Sequence, residues 1–185
     1  MEKKITKSTL RKTILQYRRL ISDTEFQKRN LQLLQKIELF IHEKSPKIIH
    51  TFLPISRNKE VDITPLFPNW WKEGKRIIVS KTNFETRKMD HYLLKKETIL
   101  KNNSLGIPEP EDGDSVKIQD VDLILIPLLA VDKQRNRIGY GGGFYDHLLS
   151  ETKALKVGLS LSSPLDRITQ RDEWDIPLDF IISHK

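Results

Sequence analysis

Between Asp132 and His147 the chain reads Asp-Lys-Gln-Arg-Asn-Arg-Ile-Gly-Tyr-Gly-Gly-Gly-Phe-Tyr-Asp-His, and here its residue types could do chemistry. Four of the eight glycines lie in this stretch, three of them consecutive. A backbone free of side-chain bulk can close its amides on an anion, and a helix starting near His147-Leu148-Leu149 would add the positive end of its dipole. Arg137 offers a planar fork for phosphate oxygens. Asp146 is a carboxylate beside that anion site, an arrangement that a bridging Mg²⁺ would explain. The stretch is not a P-loop, because no Gly-x4-Gly-Lys-Ser/Thr occurs. Nor is it a dinucleotide fingerprint, because Phe144 stands where the third glycine belongs. Spacing alone leaves two readings open: a phosphate or nucleotide loop, and a glycine-rich turn capped by an ordinary aspartate.

Other groups could join it. Lys7 and Arg11 are one helical turn apart, where two cations repel mildly unless an anion sits between them; otherwise they form a solvated helix end. Glu60 follows a strand and a polar loop, where a carboxylate can take the N–H groups of a ligand or simply complement a helix dipole. Asp175, in Glu173-Trp174-Asp175, could share a metal with Asp146 or cap a turn. The five histidines (His42, His50, His91, His147, His184) show no ligand spacing. Zero cysteines exclude thiol catalysis, disulfides and thiolate-bound metal, and no serine lies in a nucleophile elbow.

These groups need a scaffold. Residues 6–21 predict a helix with Leu10, Ile14, Tyr17 and Ile21 on its apolar stripe and Arg11, Lys12, Arg18 and Arg19 off it. Ser22-Asp23-Thr24-Glu25 has the form of a capping box for a second helix to about Glu43, with Phe26, Leu33, Ile37 and Phe40 or Ile41 inward. Strands are expected at 47–53, 76–80, 91–94, 121–126, 156–160 and 180–182. A short helix capped by Asp62 should end at Gly74, and another should run from the glycine loop to about Glu151. Residues 95–120, with a rigid turn at Gly106-Ile107-Pro108-Glu109-Pro110, read as loop. Strands alternating with helices predict an α/β layered sandwich, its mostly parallel central sheet flanked by helices, two of them N-terminal. Ligands in such sheets bind beyond the carboxyl ends of the strands, which leaves three candidate loops: after Leu53, after Ile126 and after Ser160.

At 185 residues, one domain over 1–185 is expected. No apolar run approaches a membrane span, the N-terminus has no secretory pattern, and the absence of cysteine suits the cytoplasm. A net charge of +7 favours polyanionic partners (nucleotides, polyphosphates, poly-acidic small molecules or nucleic acid), or else describes a solvated lysine-rich surface. There is no basic-aromatic interleaving of the kind that nucleic-acid modules show.

The motifs taken in order resemble the 5-formyltetrahydrofolate cyclo-ligase family over almost the whole chain. They are Lys7-x-x-Leu10-Arg11, Glu60-Val61-Asp62, Met89-Asp90, residues 106–110, and the strand Asp122 to Pro127 with Ala130 and Asp132. The most specific is Arg137-Ile138-Gly139-Tyr140-Gly141-Gly142-Gly143-Phe144-Tyr145-Asp146. The resemblance implies ATP- and Mg²⁺-dependent cyclisation of 5-formyltetrahydrofolate to 5,10-methenyltetrahydrofolate by a cytoplasmic monomer. It implies that Lys7, Ser8, Thr9, Leu10 and Arg11, with Arg137 through Tyr145 (Ile138, Gly139, Tyr140, Gly141, Gly142, Gly143 and Phe144 between them), hold ATP. Asp146 and Asp175 are the implied metal carboxylates. Leu53 (or Ile55, because the loop to Glu60 is about two residues longer than usual), Glu60 and Tyr140 to Phe144 are the implied folate contacts. Arg137, Tyr145 and Glu60 are the implied catalytic groups. Surplus positive charge would suit a polyglutamylated folate.

The chain departs from the family at His147 (usually arginine), Phe144 (often tyrosine), Trp174 (often histidine) and Asn136 (usually glycine, whose left-handed geometry asparagine tolerates). Two rivals fit the same charge: a non-catalytic nucleotide- or nucleic-acid-binding module, and an enzyme with another phosphate substrate. Glu60 and Asp146 favour the cyclo-ligase over the first; Leu53 and Glu60 favour it over the second.

Overall fold

Strands that are apolar on both sides need cover on both faces, and helices supply it here. The computed structural model describes residues 6–184. In chain order its elements are α1 (Lys7–Leu20), α2 (Asp23–Lys44), β1 (Ile48–His50), α3 (Phe67–Lys72), β2 (Arg76–Asn83), β3 (Lys88–Leu94), β4 (Leu100–Asn102), β5 (Pro108–Pro110), β6 (Leu123–Pro127), β7 (Ala130–Val131), β8 (Arg137–Ile138), α4 (Phe144–Ser150), β9 (Leu155–Ser160) and β10 (Phe180–Ser183). The main sheet has the order β10-β9-β6-β1-β2-β3. It is parallel except for the edge hairpin β2–β3. The α/β layered architecture expected from the sequence is therefore observed.

The period-two alternation of the strands sorts the core. Ile49, Ile77, Val79, Leu123, Leu125, Val157 and Leu159 pack with Leu33, Ile37 and Ile41 of α2 and with Phe67 and Trp70 of α3. On the opposite face Ile78, Ile124 and Ile126 pack with Leu148 and Leu149 of α4. A third cluster joins Leu129, Ala130, Ile138 and Ile168 to Leu10, Ile14 and Leu15 of α1, so the first helix docks over the β7–β8 pair. No helix among the described residues is long and apolar enough to cross a membrane.

Element ends differ from expectation where local signals compete. The strand expected over 47–53 pairs only at 48–50; Phe52 and Leu53 are buried without joining the ladder. β2 and β3 run on to Asn83↔Lys88, a hairpin longer than the expected runs at 76–80 and 91–94. The stretch 95–120, expected as loop, contains the β4–β5 pair, invisible to periodicity because Leu100–Asn102 is exposed throughout. Ser22 Oγ accepts the Glu25 amide at 3.2 Å, half of the expected capping box, but the Glu25 carboxylate turns to Arg29 at 2.7 Å. Asp62 accepts the amide and hydroxyl of Thr64 at 3.0 and 2.6 Å, opening the 3-10 turn Thr64–Leu66 that precedes α3.

Two features of the sheet invite test. Gly158 in β9 leaves no room for a methyl group: a Cβ there would lie 2.4 Å from Leu178 and 2.8 Å from Leu128, both buried. Gly158→Ala should lower the unfolding free energy by about 1–3 kcal/mol, as overpacking does, measured by denaturant unfolding.

On the α4 face, Ser80 Oγ bridges His50 Nε2 at 2.7 Å and His91 Nδ1 at 2.9 Å. Burial, with His91 adding a smaller push, drives the His50 imidazole down to about 3. The unfolded chain therefore takes a proton near pH 6.5 that folded His50 refuses. Stability should fall as pH drops from about 6.5 towards 5, approaching about 1.4 kcal/mol per pH unit, and His50→Gln should flatten that slope. Urea unfolding at pH 7, 6 and 5 reads the difference; parallel curves would remove His50 as the cause.

Candidate active site

The strand order reverses between β1 and β6: from β1 the chain adds β2 and β3 on one side, and from β6 it adds β9 and β10 on the other. Beyond the carboxyl ends at such a switch point, loops part and leave a crevice. The exit of β1 leads to Glu60, that of β6 to the glycine loop, and that of β9 to Asp175. All three loops expected to carry the site meet there. Asp132 ties two of them: it is fully buried, and accepts the Ile168 amide at 2.9 Å and the Asn136 amide at 2.8 Å. Burial alone would raise the Asp132 carboxyl, but its hydrogen bonds outweigh that and hold it below the usual range. The turn between β7 and β8 corrects one expectation. Arg135, with φ 67°, takes the left-handed position, while Asn136 is used for its side-chain amide, which binds Asp132 at 2.9 and 3.1 Å.

α1 lays its cations against these loops. Lys7 Nζ reaches Asp172 at 2.7 Å and Asp175 at 2.5 Å. Burial disfavours its charge, but the two carboxylates prevail and raise its pKa. Arg11 Nε donates to Gly139 O at 2.9 Å. Arg11 and Gly141 are so close that a Cβ at Gly141, where φ is +99°, would lie 3.2 Å from the guanidinium carbon. The loop Gly139–Gly143 thus lies under a cation with its backbone bare. Ser8 and Thr9 are exposed, the Thr9 amide bonded to Thr6 Oγ1 at 3.1 Å; Leu10 and Ile138 serve the apolar contact beneath. α4 begins at Phe144, three residues earlier than expected, capped by Gly143 at φ 75°, so Asp146 falls in its first turn. Phe144 packs edge-on against Phe84 of the β2–β3 hairpin turn, ring centroids 5.6 Å apart.

Arg137, expected as an open fork, is committed within the protein. Nη2 meets Asp146 Oδ1 at 2.5 Å and Nη1 donates to Ile176 O. The Ile176 amide also donates to Asp146 Oδ1 at 3.2 Å, which brings Asp146 and the 172–176 loop together. Asp146 and Asp175 thus lie in one neighbourhood, each paired with a cation, and among the described residues no group of three or more His, Asp or Glu side chains is arranged so that it could hold a metal ion.

Glu60 is a buried acid, 4% exposed. Burial pushes its carboxyl up, while the Ile55 amide at 2.8 Å, the Tyr140 hydroxyl and the charge of Arg18 pull the other way. Tyr140 and Tyr145 are both driven well above the normal phenol range by burial and by the Glu60 charge, so both keep their protons. Leu53 belongs to the core under α2, and Ile55, the alternative, is only partly buried.

Two residues of this arrangement were missed from sequence. Asp172, a loop acid without a motif, shares Lys7 with Asp175. Arg18 was expected on the polar side of α1 but is 2% exposed. The inward face of α1 is turned by roughly 50° from the apolar stripe, at 100° per residue, which leaves Tyr17 exposed and carries Lys7, Arg11 and Arg18 inward. Their common spacing was the available signal.

Comparison with known proteins agrees with this fold. The sequence profile of the 5-formyltetrahydrofolate cyclo-ligase family matches residues 3–184. Proteins named 5-formyltetrahydrofolate cyclo-ligase are similar to it from Haemophilus influenzae (31% identical, covering 68% of this chain and 71% of that protein) and Mycoplasma genitalium (31%, 96% and 98%). The mouse protein of that name is 28% identical over 95% of this chain and 92% of its own. The solved 5,10-methenyltetrahydrofolate synthetase of Aquifex aeolicus superposes with TM-score 0.83 at 36% identity, covering 97% of this chain and 90% of that one. That of Mycoplasma pneumoniae gives TM-score 0.76 at 24% identity, a likeness of fold, covering 97% and 99%. The chain belongs to the 5-formyltetrahydrofolate cyclo-ligase family, a family of enzymes.

Proposed function

We propose that this protein cyclises 5-formyltetrahydrofolate to 5,10-methenyltetrahydrofolate with ATP and Mg²⁺, releasing ADP and phosphate. The observation that supports this reading most is the meeting of two chemistries in one crevice. Lys7 and Arg11 over a bare glycine backbone form its cationic side, and a buried carboxylate, Glu60, lies next to Tyr140 of the same loop.

In this reading the formyl oxygen attacks the γ-phosphorus, the β–γ P–O bond breaks, and ADP departs. N10 then adds its lone pair to the activated carbon, phosphate leaves with the former formyl oxygen, and the N10 proton is lost. Such transfer needs positioning and charge neutralisation and no protein nucleophile. Lys7 and Arg11 would take phosphate oxygens, competing with the carboxylates and carbonyl they hold now. Gly139 to Gly143 let ATP approach the backbone, while Glu60 would orient the pterin through its N–H groups. Arg137, held by Asp146 and Ile176, fixes the start of α4 below the phosphates, and Tyr145 stays protonated.

Asp146 and Asp175 fit Mg²⁺: they are hard oxygen donors in one neighbourhood, and this ion is ordinarily held by one or two carboxylates together with phosphate oxygens. The bound ion would neutralise charge on the β- and γ-phosphates. The partners in this reading are reduced folate, polyglutamylated or not, and ATP, and the protein acts as a single-domain monomer in the cytoplasm.

Mixing the protein with 5-formyltetrahydrofolate, ATP and Mg²⁺ should produce the near-ultraviolet absorbance of the conjugated methenyl product. No product from protein that binds ATP would falsify the reading. Asp146→Ala should slow turnover at least about a hundredfold, the scale of losing one preorganised charge-stabilising group; an unchanged rate would remove it from the metal. Lys7→Ala should raise the KM for ATP about ten- to a hundredfold, as expected for a charge-assisted hydrogen bond. The KM for folate should stay within about twofold, and equal losses on both substrates would count against a phosphate role for Lys7.

A further inference from the structure

We infer that Lys7 and the metal ion compete for Asp175: the ammonium occupies that carboxylate until nucleotide phosphates draw it away, so the ion is admitted with the nucleotide and not before it. The inference rests on the reading above, in which Asp175 takes Mg²⁺ and Lys7 takes phosphate.

Lys7 Nζ lies 2.7 Å from Asp172 Oδ2 and 2.5 Å from Asp175 Oδ2. Asp175 Oδ2 also accepts the Asp172 amide at 2.9 Å, so this one oxygen carries both an ammonium and an N–H. Two cations on one carboxylate repel each other, and a partly buried site screens that repulsion less than open water does. The pair is such a site, with the Lys7 side chain 14% and the Asp175 side chain 21% exposed. An ion approaching Asp175 must therefore displace Lys7 or bind against its charge.

The other carboxylate assigned to the metal is occupied differently. Asp146 Oδ1 meets Arg137 Nη2 at 2.5 Å and accepts the Ile176 amide at 3.2 Å. Arg137 is a planar fork whose other arm donates to Ile176 O, so it is pinned from two directions. Lys7 is a point charge on a flexible four-carbon stem. Its backbone is anchored, because its amide donates to Gln170 Oε1 at 2.9 Å, but the ammonium can turn about the stem. Lys7 is thus the exchangeable cation of the two. Asp172, half-exposed at the rim, keeps a carboxylate on Lys7 when Asp175 passes to the ion. Phosphate oxygens supply the remaining partner, since lysine binds phosphate as a point charge. By linkage, the affinity that nucleotide lends the metal is returned by the metal to the nucleotide.

Mn²⁺ takes the same hard oxygen ligands, and electron paramagnetic resonance of the free ion measures its binding without nucleotide. Lys7→Met keeps the stem and removes the charge. It should lower the Kd for Mn²⁺ about tenfold or more, the scale on which one neighbouring charge shifts a carboxylate's equilibrium, while ATP binds more weakly. Adding Asp175→Asn to Lys7→Met should cancel the gain, and Lys7→Arg, which keeps a cation, should not show it. Lys12→Ala removes an equal charge from an exposed position of α1 and should leave the Kd for Mn²⁺ within about twofold at physiological salt. A Lys7→Met protein that binds Mn²⁺ no more tightly than wild type overturns the inference, as does a gain that survives Asp175→Asn. A lysine that only ties the 170–176 loop to α1 would weaken both ligands when removed, and that result also overturns it. If thermal unfolding shows Lys7→Met to be misfolded, Lys7→Gln, which keeps a donor without the charge, is read in its place by the same criteria. A wild type that forms no methenyl product fails the proposed function, while the Mn²⁺ titrations, which need no turnover, still support or overturn the exchange. A wild type that turns over beside a Lys7→Met variant with no gain in Mn²⁺ affinity fails this inference alone.

Discussion

Three cations on one face of α1 have to be neutralised before that helix can pack, and much of the site's geometry follows from where the neutralising groups come from. Lys7 is held by Asp172 and Asp175 from the far end of the chain, Arg11 by Gly139 O, and Arg18 by the carbonyls of Leu128 and Leu129. Burying any of these charges without its partners would cost several kcal/mol. The helix therefore lies across the exits of β6 and β9. Apolar contacts of Leu10, Ile14 and Leu15 hold the helix down, and the polar partners set its rotation.

The sheet supplies the crevice beneath. A parallel sheet buried on both faces exposes little of itself except the strand ends, so loops that carry ligand groups gather at the carboxyl edge. At the β1/β6 switch point this produces an asymmetry of environment. On the Lys7 side each carboxylate, Asp146 and Asp175, faces a cation and remains partly open to solvent. On the Glu60 side the carboxylate is sealed in, and its ionised form depends on an amide, a hydroxyl and Arg18. In the proposed reading, one side takes exchangeable phosphate and metal, the other a rigid ring with N–H groups. The glycine loop spans both, since Gly139 meets Arg11 while Tyr140 meets Glu60.

Much of this could be read in the sequence because it is local. The helices over 7–20 and 23–44 follow from caps and apolar spacing, and the core strands from aliphatic runs. The glycine stretch marked itself by composition, and the motifs from Lys7 to Asp146 carried the family resemblance. The short pairs β4–β5 and β7–β8 could not be read, because two or three residues give no period. Arg135 rather than Asn136 took the left-handed position because Asn136 had a stronger use, its amide on buried Asp132. Arg18 was misplaced for a related reason. A periodicity argument counts arginine as solvent-facing, and only a distant carbonyl or carboxylate can make the inward position favourable.

The sequence by itself determined the class of fold, the order of its helices and core strands, and the family, and it marked the loops to which the site is assigned. It could do so because propensity, capping and period-two or period-3.6 burial depend on neighbours a few residues away. Only the tertiary structure decided the partners: Arg137 on Ile176 O, Lys7 on Asp172 and Asp175, and Arg18 on the carbonyls of Leu128 and Leu129. Those pairings join segments far apart in the chain. Their strength comes from desolvation, which exists only once the chain has closed around them.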